Sequence, residues 1–288
     1  MKRVLALGLA LALLCAASLD AQKRVPAKRT AQSKKAAPAK TAPAKPAPRP
    51  APKVEVPVPF KPGESLSYDV SWSSFLTAGT ATVTVRQKKP SYNSVAYYIV
   101  AEGQPTSLLS HLYSLYYKAD TLIDVYTLLP QRGSVFSKEN SRQRMKVTSF
   151  DQPAHTIHYE MKTTQLLRQD KPIPANTQDA LSAIYQLRAM PLRPGMSVTM
   201  PISDSGTTYT ARCAVGQAES VKTGIGYVQA LKVSPVIAGP NGQAVGRGLA
   251  VWISTDGRRL PVKMSGQLAV GTFNLTLREV KAGTVAGR

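Results

Sequence analysis

The residues best equipped for chemistry in this chain are few, and their spacing argues against most reactions. The run His155-x-x-His158 is the obvious metal pair. It lies beside an alternating segment, with Ile157, Tyr159 and Met161 set against His158, Glu160 and Lys162, which reads as a strand. Residues three apart on a strand point to opposite faces, so the two imidazoles diverge and cannot share a metal ion. Asp120 and Asp124 are four apart. On a strand they share a face but stand about 13 Å apart, too far for the paired carboxyls of a glycosidase. One of them can still orient a turn or pair with an arginine. Cys213 sits in the alternating run Tyr209, Ala211, Cys213, Val215 and reads as a small core hydrophobe. There is no nucleophile elbow, P-loop or dinucleotide fingerprint. No catalytic residue, metal site or cofactor is therefore expected. The aromatic residues offer more. Tyr97, Tyr98, Tyr113, Tyr116, Tyr117 and Tyr126 form a tyrosine-rich stretch. Tyrosine joins an apolar ring to a polar tip, which suits a ligand groove or an interface, although packing on a sheet face accounts for it equally.

The elements that must hold these side chains are strands. Leu66, Tyr68, Val70 and Trp72 alternate with polar residues, as do Ala81, Val83 and Val85, then Met196 to Ile202, and finally Phe273, Leu275 and Leu277. A period of two sets one strand face on a core and the other in water, the mark of antiparallel sheet. Turn residues punctuate the runs at Lys89-Pro90-Ser91, Asp151-Gln152-Pro153, Asp204-Ser205-Gly206, Gly224-Ile225-Gly226, Gly239-Pro240-Asn241-Gly242 and Asp256-Gly257. Leu249 to Ile253 is apolar on both faces and reads as a central, doubly covered strand. Helical spacing of Leu181, Ile184, Tyr185 and Arg188 marks one helix over about 177–190, capped by Asn176 or Thr177 and ended by Pro191 and Pro194-Gly195. Leu108 to Leu112 reads as a short helical turn. The expected fold is mainly β: a large antiparallel curled sheet, open roll or barrel-like domain with one packed helix.

The N-terminal part has a different character. All nineteen aromatic residues lie from Phe60 onward, which sets the expected start of the folded domain at residue 60 and its end near 282, with a flexible C-terminus over 283–288. Residues 1–21 have a signal-peptide layout: Lys2 and Arg3, an apolar stretch Val4 to Leu14, then small residues with cleavage after Ala17 or Ala21. Eleven apolar residues fall short of the roughly twenty that span a bilayer. Residues 22–59 hold ten Lys or Arg, nine Pro, nine Ala and one acid, and are expected to form a disordered basic linker. Residues 22–53 carry a net +10 of the chain's +21. Such a segment is attracted to polyanions. For an exported protein these are anionic envelope headgroups rather than nucleic acid.

Taken in order, a set of short motifs resembles an exported bacterial family, the domain of unknown function 3108. It opens with Pro62-Gly63-Glu64-x-Leu66-x-Tyr68-x-Val70-x-Trp72 and Ala78-Gly79, and continues through Leu112-Tyr113 to Asp120 and Thr127-Leu128-Leu129-Pro130. The run Asp179-Ala180-Leu181-Ser182-Ala183-x-Tyr185-x-Leu187-Arg188 follows, then Pro194-Gly195. Trp252-x-Ser254-x-Asp256-x-Arg258-Arg259-x-Pro261-Val262 and Val270-Gly271 complete the set. The resemblance implies a β-rich periplasmic domain, distantly similar to curled-sheet lipoprotein carriers, and implies no reaction. Within it Gly63, Glu64, Gly79, Asp120, Asp179, Arg188 and Asp256 stand as structural positions.

These readings converge on an exported protein of the periplasm or outer-membrane surface of a Gram-negative bacterium. The expected role is a non-enzymatic binding module for an apolar or amphipathic small molecule, a lipid or an envelope partner. Tyr68, Trp72, Tyr113, Tyr117 and Trp252 are the candidate ligand-binding residues. Two other readings compete. One is a hydrolase of envelope glycan or lipid using Asp69, Asp120 or Asp256, which requires at least two carboxylates, or a carboxylate and a histidine, in one cleft within about 5–10 Å. The other is a structural protein of cell-surface assembly, which requires a long unpaired apolar edge or patch. Oligomeric state is left open.

Overall fold

The computed structural model describes residues 53–73, 76–112, 115–268 and 271–283. The expected signal peptide, the linker up to residue 52, Tyr113 and residues 284–288 lie outside them. The first half contains β1 (Ser65–Trp72), β2 (Leu76–Ser91), β3 (Ser94–Pro105), the short helix α1 (Ser107–Leu112), β4 (Leu115–Asp124), β5 (Pro130–Glu139), β6 (Arg142–Asp151), β7 (Thr156–Lys162) and β8 (Leu166–Pro172). After α2 (Ala180–Ala189) come β9 (Ser197–Asp204), β10 (Thr207–Thr223), β11 (Gly226–Ala238), β12 (Ala244–Val245), β13 (Arg247–Ser254), β14 (Pro261–Leu268) and β15 (Gly271–Lys281). The strands form one sheet in the order β8-β7-β6-β5-β4-β3-β2-β1-β15-β14-β13-β11-β10-β9, with β12 on β11. Mostly sequential hairpins build it, and β1 against β15 joins the two ends of the chain.

Register carries one face around the sheet, because directly opposed residues in an antiparallel pair share a face. Tyr68 opposes Ala81, Ala81 opposes Gly103, and Gly103 opposes Tyr117. In the other direction Tyr68 opposes Leu277, and Leu275 opposes Met264, which opposes Val251, which opposes Val233. This face lies inside the curl. A principal core joins Leu66, Tyr68, Val70, Phe273 and Leu275, and a second packs Val198, Met200, Cys213 and Val233 at the far end of the sheet. Leu249 to Ile253 is doubly covered as expected, with Trp252 in the first core and Ile253 in the second. Cys213 is buried, and burial pushes its thiol up to about 11, which leaves it a packing residue.

The two ends of the sheet do not pair, and the connector 173–179 lies between them. Ile173 N–H donates to His155 O at 2.8 Å on one side. On the other, Gln178 makes a parallel bridge to Ile202 of β9, with bonds of 2.9 and 2.8 Å to Pro201 and Ser203. The β9–β10 turn then meets β6 and β7. Lys146 Nζ donates to Ser205 Oγ at 2.7 Å. Gly206, at φ +72, lies so close to Tyr159 that an added Cβ would sit 2.9 Å from the ring. Both its backbone conformation and the contact require glycine. The result is a nearly closed, barrel-like curl. Edge strand β8 carries Arg168, Asp170, Lys171 and Pro172, the residue types that discourage edge-to-edge pairing.

Four local expectations are corrected. The β2–β3 hairpin turns at Tyr92-Asn93, both at positive φ, while Pro90 stays within β2. Strand β1 pairs with β2 only as far as Thr84, so Pro90 falls where β2 has an open edge, which tolerates proline. Asp179, not Asn176 or Thr177, caps α2. Asn176 takes a left-handed turn, the Thr177 hydroxyl donates to Pro174 O, and Gln178 is extended against β9. His155 lies in the β6–β7 turn at φ +52, outside the strand that holds His158. Finally, packing on the domain starts before Phe60. Val56 N–H donates to Val125 O at 2.9 Å, and Val56 and Val58 pack on the principal core. Val56 and Val58 supply the apolar surface that an aromatic count overlooks.

Candidate functional site

Helix α2 decides what the inside of the curl contains. Its N-terminus is a capping box: Ser182 N–H donates to Asp179 Oδ1 at 2.7 Å, and Asp179 N–H donates to Ser182 Oγ at 2.9 Å. The Thr121 hydroxyl of β4 donates to Asp179 Oδ2 at 2.6 Å, tying the cap to the sheet. Leu181 and Tyr185 face the principal core, and Ala183 and Leu187 face the second, so the helix is buried on two sides. Its C-terminal end is locked by Arg188, which is fully buried and bidentate to Glu64 at 2.7 and 3.0 Å. The same guanidinium donates to the carbonyls of Arg259 and Arg258 at 3.0 and 3.2 Å. It also lies over the rings of Phe60 and Tyr185.

Between α2 and the sheet remains a cavity of about 110 Å³. Tyr117, Ala119, Val135 and Tyr159 from the first half of the sheet form one wall. Leu249, Val251 and Met264 form the opposite wall, and Leu181 and Ile184 of α2 close it from within. One end is polar, with Lys146, Asp179, Ser203, Asp204 and Ser205. It lies at the seam where the β9–β10 turn meets β6. Ser203 Oγ is buried there without a hydrogen-bond partner.

Burial pushes the Asp179 carboxyl above the usual carboxylate range, and the bonds from Ser182 and Thr121 offset this only in part. A folded-state value above the unfolded one means that the native protein binds the proton more tightly. Its stabilising contribution is complete below the unfolded value, near 3.8, and is lost as pH rises through the raised value. Asp179→Asn retains a capping oxygen and removes the titration. In urea unfolding over a pH series, wild type is expected to lose stability relative to this variant as pH climbs from about 3.8. A difference that stays flat with pH would show that the carboxyl is unshifted.

Of the residues expected to bind a ligand, Tyr117 lines the cavity. Tyr68 is fully buried on the same sheet face, but its hydroxyl is spent on Pro261 O at 2.9 Å. Trp72 stacks on Phe273 at the other end of β1, with 6.1 Å between ring centroids. Trp252 belongs to the opposite face of the sheet. Its indole N–H donates to Glu219, and Lys232 and Lys263 lie over its ring at 5.2 and 4.9 Å. The long β10–β11 hairpin covers it by folding back onto β15, where Gly224 N–H meets Leu277 O at 2.8 Å. Tyr113 lies outside the described residues.

The seven structural positions form local groups. Gly63 turns at φ +87 and donates to Val85 O at 2.7 Å, which aims Glu64 at Arg188. Gly79 opposes Pro105 across β2–β3. Asp120 accepts from the Ser134 hydroxyl and lies 3.6 Å from Arg132. Asp256 closes the β13–β14 turn. Burial opposes its charge, but the Ser254 hydroxyl and the Arg258 guanidinium, at 2.6 and 2.8 Å, hold its carboxyl below the usual range. Asp69 pairs with Arg278 on the surface. Each of these acids therefore has its own partner in its own group. Asp124 orients the β4–β5 turn by accepting from Tyr126 N–H at 2.9 Å, and His158 pairs with Asp170 at 2.8 Å. Sequence reading missed Lys146, Ser203 and Ser205. No local pattern marks them, since only closure of the curl brings β6 to the β9–β10 turn.

Residues 67–278 match the sequence profile of the family described as "protein of unknown function (DUF3108)". The chain belongs to the DUF3108 family. No curated protein matches it. Among solved structures, this DUF3108 chain is similar to a beta-barrel-like protein of domain of unknown function DUF1849 from Brucella abortus, at 10% identity and a TM-score of 0.51. That match covers 78% of this chain and 100% of the other. A protein described as exported, with a YmcC-like fold, from Bacteroides fragilis matches at 13% identity and a TM-score of 0.30, covering 79% and 100%. A protein described as a lipoprotein from Parabacteroides distasonis matches at 11% identity and a TM-score of 0.35, covering 78% and 98%. At such identities the first likeness speaks for the barrel-like fold alone, in agreement with the DUF3108 sheet.

Proposed function

We propose that this DUF3108 domain is a non-enzymatic binding module of the bacterial envelope, holding the apolar part of an amphipathic molecule inside its curled sheet. The observation that carries this reading is the cavity beneath α2, whose lining surface is mainly apolar. At about 110 Å³ it is smaller than the roughly 300–1,000 Å³ of sites that enclose a whole drug-sized ligand. It suits a slender apolar segment whose remainder stays outside. Export follows from the layout of residues 1–21, and the +10 segment 22–53 adds a second contact, to anionic headgroups. Each basic residue near such a surface contributes on the order of 1 kcal/mol, screened by salt.

The reading is tested with N-phenyl-1-naphthylamine, a neutral apolar probe that fluoresces on leaving water. The protein is expected to bind it saturably, and Ile184→Trp, which fills the cavity from α2, is expected to abolish the signal with the circular dichroism spectrum unchanged. Equal binding by both proteins would place the probe elsewhere and remove the basis for this function.

A further inference from the structure

The polar end of the cavity holds more than an apolar guest requires. Lys146 reaches it from β6, with its ammonium bonded to Ser205 Oγ at 2.7 Å. Ser203, two residues earlier on the same strand-to-turn segment, also lines this end, with its unpartnered hydroxyl fully covered. A lysine turned toward the interior of a curl takes its charge out of bulk water, and such a charge is stabilised by an anion or by several hydrogen bonds. Three aspartates line the cavity, of which Asp120 accepts from the Ser134 hydroxyl and lies 3.6 Å from Arg132. Asp179 has both oxygens engaged, by Ser182 and Thr121, and its burial favours the neutral form. Asp204 is itself engaged by neighbours. The ammonium is the group left to meet an anionic guest.

We propose that this end is a head-group subsite for an anionic, oxygen-bearing head on a single alkyl chain. Lys146 pairs with the charge, and the chain lies along Leu181, Ile184, Val251 and Met264. The subsite rests on the apolar-cavity reading above and specifies the ligand class. A single chain follows from the cavity's small volume, and an anion from the ammonium at its end. Binding exchanges the Lys146–Ser205 bond for one to the ligand, so the site opens at the seam between the β9–β10 turn and β6.

The test is calorimetric titration of the full chain with decanoate, decyl phosphate, decanol and decylamine. Decanoate is expected to bind about tenfold or more tightly than decanol, the range of one charge-assisted hydrogen bond. Lys146→Met is expected to remove that preference, and Lys146→Arg to keep it. Decyl phosphate binding as tightly as decanoate would support the subsite and extend it to phosphate heads. If decanol matches decanoate, or decylamine exceeds it, the head-group subsite is overturned while the apolar cavity stands. If none of the four binds, the subsite and the cavity reading fall together.

Discussion

Arg188→Met is expected to lower the unfolding free energy of the domain by about 3–5 kcal/mol, the cost of leaving one member of a buried ion pair alone. Glu64 and Arg188 are 7% and 0% exposed, and their bidentate bonds of 2.7 and 3.0 Å hold the start of β1 to the end of α2. Without the guanidinium, the Glu64 carboxylate remains buried without a counter-charge. The carbonyls of Arg258 and Arg259 lose a donor as well, and so does the β13–β14 turn that they anchor. The double variant Glu64→Leu/Arg188→Met replaces both charges with apolar volume and is expected to recover a large part of the loss. Urea midpoints with unchanged slopes would measure both effects. A single variant within 1 kcal/mol of wild type would mean that the pair is hydrated in solution, and α2 would then need another anchor.

Phe60→Ala is expected to cost about 3–5 kcal/mol, the range for truncating a buried phenylalanine. The ring is 2% exposed and makes edge contacts with Tyr97 and Tyr185, with centroid separations of 5.2 and 4.8 Å. It also covers one face of the Arg188 guanidinium, at 5.3 Å from the centroid. The loss should therefore be non-additive with Arg188→Met, because the two side chains share a contact. Removal of residues 1–52 is expected to leave the urea midpoint unchanged. Removal of residues 1–60 is expected to match or exceed the cost of Phe60→Ala, since Val56 and Val58 leave the core with it. If the shorter and longer truncations melt alike, the packing of residues 53–60 contributes nothing to the fold.

The acids proposed for a hydrolase show why separate groups matter. Asp69, Asp120 and Asp256 reside on β1, on β4 and in the β13–β14 turn, each with a partner of its own. General acid–base chemistry needs two such groups facing one substrate. The arginine, serine and turn contacts around them account for their presence as structural residues.

The strand content was legible because side-chain alternation is a local signal, and the period of two holds whether or not the partner strand is known. Leu66, Tyr68 and Val70 announce β1 unaided, and Asp204-Ser205-Gly206 announces its turn. The helix was legible from its spacing, but its cap was not: Asn176, Thr177 and Asp179 all suit an N-cap, and pairing of Gln178 with β9 chose among them. The ordered motifs pointed to the family without revealing that Glu64 and Arg188 touch across 124 residues. The cavity lay beyond local reading altogether. Lys146, Ser203 and Met264 come from distant segments and meet only because strand register fixes which face turns inward and the curl brings its two ends together. Local periodicity determined that this chain is a sheet, whereas closure of that sheet around a buried helix, a property of long-range pairing, decided that it has an inside.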